Sequence, residues 1–132
     1  MVCPILRIVF AFIVTLTLFS IGCSAQQTEE QALANLRQLA RGGQIPSDAY
    51  IAEIESRFAG KRTGLLAKLL RAKIKFDNKD FAGAAALLNT DDFRTKTKVA
   101  DHALWLRGYA LQEAGNHVEA MSAFARLIAD FP

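Results

Sequence analysis

Three sets of side chains in this sequence have types that could do chemistry. Glu55 opens the run Glu55-Ser56-Arg57-Phe58, inside a stretch of helical periodicity. A carboxyl group serves as a general acid when an enclosed cleft keeps it protonated near neutral pH. His102 and His117 are the two histidines, and they fall on different expected helices with no cysteine near either. Zinc needs clustered ligands at short spacing, so this pair reads as surface or capping residues, and neither a metal site nor a cofactor is expected. Cys3 and Cys23 are the two cysteines, both ahead of the main body of the chain. No disulfide framework is therefore available, and the fold must rest on helix packing.

Glu55-Ser56-Arg57-Phe58 resembles the Glu-Ser-x-Phe opening of the catalytic motif of lytic transglycosylases, whose glutamate is the general acid that cleaves peptidoglycan. That motif continues with Asn-Pro and later Gly-Leu-Met-Gln, whereas Ala59-Gly60-Lys61-Arg62 follows here. Without the first 25 residues about 107 remain, too few for a catalytic domain as well as a scaffold. The chain is read as non-enzymatic, with Glu55 an ordinary helix residue. The alternative is that it forms the N-terminal superhelical part of such an enzyme, because AGAAALL followed by ALWLRGYALQEAGNHVEAMSAFARLIADFP is similar in style to that region.

Cys23 belongs to an export signal. Arg7 precedes an uncharged apolar run of 14 residues, Ile8 to Ile21. A bilayer-spanning helix needs about 20 apolar residues, while this length suits the central region of a signal peptide. Small residues follow. Ile21-Gly22-Cys23 resembles a lipobox, with Ser20 where that pattern usually has Leu; the resemblance implies that Cys23 becomes a lipidated N-terminus and that residues 1–23 are the signal. Ordinary cleavage after Cys23-Ser24-Ala25 stays open, as does an uncleaved anchor. The location expected is periplasmic, with membrane attachment through a lipid on Cys23.

The elements behind these residues are helices. Beyond residue 27, Ala, Leu, Lys, Arg and Glu dominate and Val occurs twice, at Val99 and Val118, so sheet formers are few and an all-α fold is expected. Thr28-Glu29-Glu30-Gln31 reads as a capping box for a first helix to about Arg41. Pro46-Ser47-Asp48 starts a second, with Ile51, Ile54 and Phe58 on one face and Gly60 closing it. Thr63 is the expected cap of a third helix to about Phe76. Asn78-Lys79-Asp80 is a turn before a short fourth helix from Phe81 to Leu88, and Asn89 to Lys96 a polar connector. A fifth helix covers about Val99 to Ala114 and a sixth His117 to Asp130. Six helices joined by short turns predict stacked antiparallel hairpins.

These hairpins repeat. Counted from Asp101, Leu104, Gly108, Leu111, Gly115, Ala120, Phe124 and Pro132 take positions 4, 8, 11, 15, 20, 24 and 32, with Gly115 at the turn. This stretch, 101–132, resembles a tetratricopeptide repeat, with Arg107 where Leu is usual. Small residues at 108 and 120 suit the closest approach of two helices. Ala72, Ala84 and Leu88 precede Gly108, Ala120 and Phe124 by 36 residues, giving a looser copy over 65–100. A degenerate copy is expected over 28–59, so 24–132 is one domain of two to three repeats.

Two surfaces are then expected to bind. Lys68, Arg71 and Lys75 share a face of the third helix in a run otherwise broken only by Asp77; they read as a solvated face or as contacts to an acidic partner or lipid headgroup. Trp105 and Tyr109, at i and i+4, either pack between repeats or lie on a concave face. The resemblance implies a scaffold that binds a protein or peptide in a helical-repeat groove of the cell envelope. Nucleic acid is not expected as a partner of an exported protein, despite the net charge of +3. The last repeat stops at position 32 without a polar capping helix, so either a longer parent or self-association is expected there.

Overall fold

A computed structural model describes residues 27–132; the expected signal at 1–23 and Cys23 lie outside the described residues. Seven helices and no strand occur among the described residues: α1 (Glu29–Arg41), α2 (Asp48–Arg57), α3 (Arg62–Asp77), α4 (Phe81–Leu87), α5 (Asp92–Lys96), α6 (Ala100–Glu113) and α7 (His117–Asp130). The expected all-α architecture is what forms. The seventh element is α5, which arises inside the expected connector because Phe93, 2% exposed, anchors it in the core.

Four of the seven helix starts follow from side-chain caps. At α1 the Gln31 N–H donates to Thr28 Oγ1 (3.3 Å) and the Thr28 N–H donates to Gln31 Oε1 (3.0 Å), the reciprocal pair of a capping box. Ser47 Oγ accepts from the Tyr50 N–H (3.3 Å) at the start of α2. Thr63, in contrast, is not the cap of α3. The helix begins one residue before it, behind Lys61, and Thr63 is buried in the first turn at 1% exposure. Its β-branched side chain fills space there instead of satisfying a helix-end donor.

The helices stack in chain order. α2 packs on α3, α3 on α4, α4 on α6 and α6 on α7, with α5 against α3 and α6. Within α2–α3 the directions are opposed, since Asp48 at the start of α2 pairs with Arg71 late in α3 while Glu55 pairs with Lys68. α6 and α7 are opposed likewise, because Leu127 late in α7 lines one groove with His102 and Trp105 early in α6, while Phe124, earlier in α7, meets Tyr109 further along α6. Three apolar clusters lie along the stack. Ala32, Leu36, Ile51, Ile54, Phe58 and Ala67 form the first. Leu65, Ala72, Leu88, Phe93 and Leu106 are in the second. Ala84, Ala110, Leu111, Ala120 and Ala123 are in the third, with Phe76 packing against the last two. Each fully buried Leu, Ile or Phe in them contributes about 1.5–3 kcal/mol relative to exposure.

Two of the connections are built alike. Lys79 and Gly115 both have positive φ, 65° and 80°. After each, one N–H bonds back to a carbonyl five residues earlier: Asp80 to Lys75 and Asn116 to Leu111, both at 2.8 Å. The same residue then caps the next helix, with Asp80 accepting from the Gly83 N–H and Asn116 from the Glu119 N–H. Every member of one turn precedes its equivalent by 36 residues, the offset found in the sequence. α1–α2 does not share this turn: Gly42 has φ −76° and the positive φ falls on Gly43, at 64°. The backbones of α1 and α2 approach little, and α1 lies against α3. An open groove of about 610 Å³ separates them, lined by Asn35, Leu39, Gly42 and Tyr50 among others.

Candidate functional site

Glu55 points across α2 toward α3. Its Oε1 lies 3.6 Å from Lys68 Nζ and its Oε2 3.4 Å from an Arg71 guanidinium nitrogen, with its side chain 19% exposed. Arg71 also donates to Asp48 at 2.8 Å. An enclosed apolar cleft is what prepares a carboxyl group for general-acid work; Glu55 is engaged by two cations at a helix interface. The adjoining cavity, about 270 Å³, is lined by Gly64, Lys68, Arg71 and Asp92 among others.

Lys68, Arg71 and Lys75 do share a face, as their spacing predicts, but they are not the exposed patch expected. All three are half-buried. Lys75 donates to Asp80 at 2.6 Å, so each cation already holds a carboxylate. The hydrogen bond from Arg71 holds the Asp48 carboxyl below its ordinary value near 3.8, with the nearby positive charges of Arg71 and Lys75 acting in the same direction. The bond from Lys75, then the Gly83 N–H, lowers Asp80 similarly. The repeat explains the arrangement: adding 36 maps these three residues onto Leu104, Arg107 and Leu111 of α6. Asp48 and Glu55 of α2 supply the acids that meet Lys68 and Arg71, while Asp80, in the turn after α3, meets Lys75.

Trp105 and Tyr109 are on a different side of α6 and are exposed, at 43% and 40%. They form the middle of a row of rings. His102 stacks on Trp105 with centroids 5.8 Å apart and planes 14° from parallel. Trp105 and Tyr109 are 4.7 Å apart, and Tyr109 meets the Phe124 ring edge-on at 6.0 Å. Both α-helical spacings, i+3 and i+4, are used, so successive rings fall on one strip of the surface. A groove of about 370 Å³ between α6 and α7 is lined by Asp101, His102, Trp105 and Leu127. His102 and Leu127 extend the pair singled out from the sequence; the i, i+3 spacing of His102 and Trp105 was the available signal for the first, and only the closure of the hairpin brings in the second.

The repeat residues hold this row in place. Gly108 is buried, and a Cβ on it would lie 2.6 Å from the Phe124 ring. Leu111 and Ala120 are buried in the same cluster. Leu104 is half-buried, and the largest fully buried side chain of α6 is Leu106, at 1% exposure, which the repeat pattern does not mark. Gly115 makes the turn, and Pro132 is exposed beyond α7. His117 is exposed at the first residue of α7, away from His102 in sequence and role. Among the described residues no group of three or more His, Cys, Asp or Glu could hold a metal ion, and no helix is long and apolar enough to cross a membrane. No protein-family model, curated protein or solved structure matches this chain.

Proposed function

We propose that this chain is a non-enzymatic interaction module of the bacterial cell envelope, built from tetratricopeptide-like hairpins and presenting the aromatic row of α6 to a protein or peptide. The observation that carries the reading is the exposed succession His102–Trp105–Tyr109 beside an open groove. Aromatic rings offer large contact area with few rotatable bonds, which is why Trp and Tyr dominate binding hot spots. An extended peptide laid along the groove would stack on successive rings and set basic side chains near Asp101. The 36-residue recurrence of both turn geometry and small residues supports the repeat. The apolar run before Ile21-Gly22-Cys23 supports export, with a lipid on Cys23 as the membrane attachment.

Crosslinked capture from an envelope extract tests the binding surface. Trp105→Ala with Tyr109→Ala removes two exposed rings, so helicity should be retained while a specifically captured partner is lost. Equal capture of the same partner by the variant overturns the reading. Mass spectrometry of the mature N-terminus separates a lipid-modified Cys23 from cleavage after Ala25.

A further inference from the structure

We propose that the outer face of α7 is the interface for a second copy of this chain, with the two α7 helices lying antiparallel. The inner side of α7 is accounted for, as Ala120 and Ala123 are buried against α4 and α6. Its opposite side consists of Val118, Met121, Ser122, Ala125, Ile128 and Ala129, all exposed and none charged. Val118, Met121 and Ile128 are 81%, 72% and 73% exposed. A helix that ends its role at solvent carries charged and polar residues on its outer face. On α7 the charges Glu119, Arg126 and Asp130 are gathered instead along one flank of the apolar strip.

That flank identifies the occupant. Glu119 has no ion-pair partner among the described residues, and Arg126 lies two turns further along the same flank. In an antiparallel pair related by a two-fold axis, equal flanks become neighbours and the sequence runs in opposite directions. An axis at the level of Ala123 sets Val118 against Ile128 of the partner subunit and Met121 against Ala125 of the partner subunit. The same register brings Glu119 beside Arg126 of the partner subunit, at both ends of the interface. A parallel pair sets the charged flank against an uncharged one, so charge complementarity selects the antiparallel arrangement. Ser122, Ala125 and Ala129 are small enough for close approach of the two backbones.

One helix pair is at the small end of specific interfaces, so the dissociation constant expected is on the order of 10 µM. The test is sedimentation equilibrium of the full chain in mild detergent, over about 1 to 500 µM. A reversible monomer–dimer equilibrium is expected. Met121→Arg changes an exposed residue and should weaken dimerisation at least tenfold. Glu119→Arg should weaken it about threefold at low salt, and adding Arg126→Glu should restore it. Arg126 also pairs with Asp91 and Asp130, so circular dichroism checks that double variant; if it unfolds, the Met121 and Glu119 variants decide. A monomer throughout the range, or a dimer indifferent to Met121→Arg, overturns the proposal.

Discussion

α3–α4 and α6–α7 are two hairpins on one plan, and their differences locate what each is for. Both turn through a residue of positive φ, and both bury a small residue at the equivalent place, Ala72 in one and Gly108, against Phe124, in the other. The strip that carries the rings diverges. Leu66, Leu69 and Lys73 of α3 correspond to His102, Trp105 and Tyr109 of α6, and the two leucines are half-buried where the histidine and tryptophan are exposed. A second strip diverges as well, with Lys68 and Lys75 where α6 has Leu104 and Leu111. The first hairpin adds ion pairs from Lys68 and Arg71 to its apolar contact with α2, no such pairs join α6 to α4 among the described residues, and the second hairpin alone carries the ring row. Equal backbones therefore need not carry equal surfaces; the side chains at equivalent positions assign the work.

The largest expected effect separates two equivalent leucines of different burial. Leu106→Ala should cost about 3 kcal/mol in urea unfolding, whereas Leu70→Ala, its half-buried equivalent in α3, should cost about half as much. Equal losses would show that the difference in burial between Leu106 and Leu70 does not set their contributions. Next comes the close approach. Gly108→Ala should cost about 1–2 kcal/mol because the new methyl group meets the Phe124 ring. Adding Phe124→Leu copies the first hairpin and should recover most of that loss, and a purely additive double variant would break the equivalence.

The turns give a smaller and opposite pair of effects. Gly115→Ala should lower stability by about 1 kcal/mol, while Lys79→Gly should raise it by up to about 1 kcal/mol, since a lysine at φ 65° sits in a region that glycine occupies freely. Thermal melting would read both. The smallest effect belongs to the ion pairs. Asp48 is shifted below its ordinary value near 3.8, so its stabilising pairing with Arg71 is present above that value and fades as pH falls through the lower folded one. Asp48→Asn should flatten the fall in urea midpoint below about pH 4, leaving the neutral-pH midpoint little changed.

Much of the scaffold is legible in the sequence because caps and turns use short-range chemistry. Thr28 with Gln31, Ser47 and Gly115 act on residues within a turn of themselves, and each acts where its spacing indicates. Phe93 is not legible: five residues rich in charge hide a helix whose formation depends on one ring reaching a core made by α3, α4 and α6. Thr63 and Lys61 show the same limit, since burial and not capping decides which residue starts α3. The basic face of α3 misleads for an avoidable reason. The 36-residue offset already aligns Lys68 and Lys75 with the apolar Leu104 and Leu111; the acids Asp48 and Glu55, which meet Lys68 and Arg71, are brought there only by the fold. Trp105 and Tyr109 stay open between packing and exposure in the sequence, because helical spacing cannot say which side meets a neighbour.

The three apolar clusters, laid end to end along the stack, also bear on how the molecule comes apart. Each is filled mainly by helices that are close in sequence, so local pairing builds them early and the chain is expected to fold fast for its size. Losing α1 removes Ala32 and Leu36 from one cluster and leaves the others whole. Opening can then proceed from that end one layer at a time, and amide exchange should report a gradient of protection from α1 toward α6 instead of a single global event.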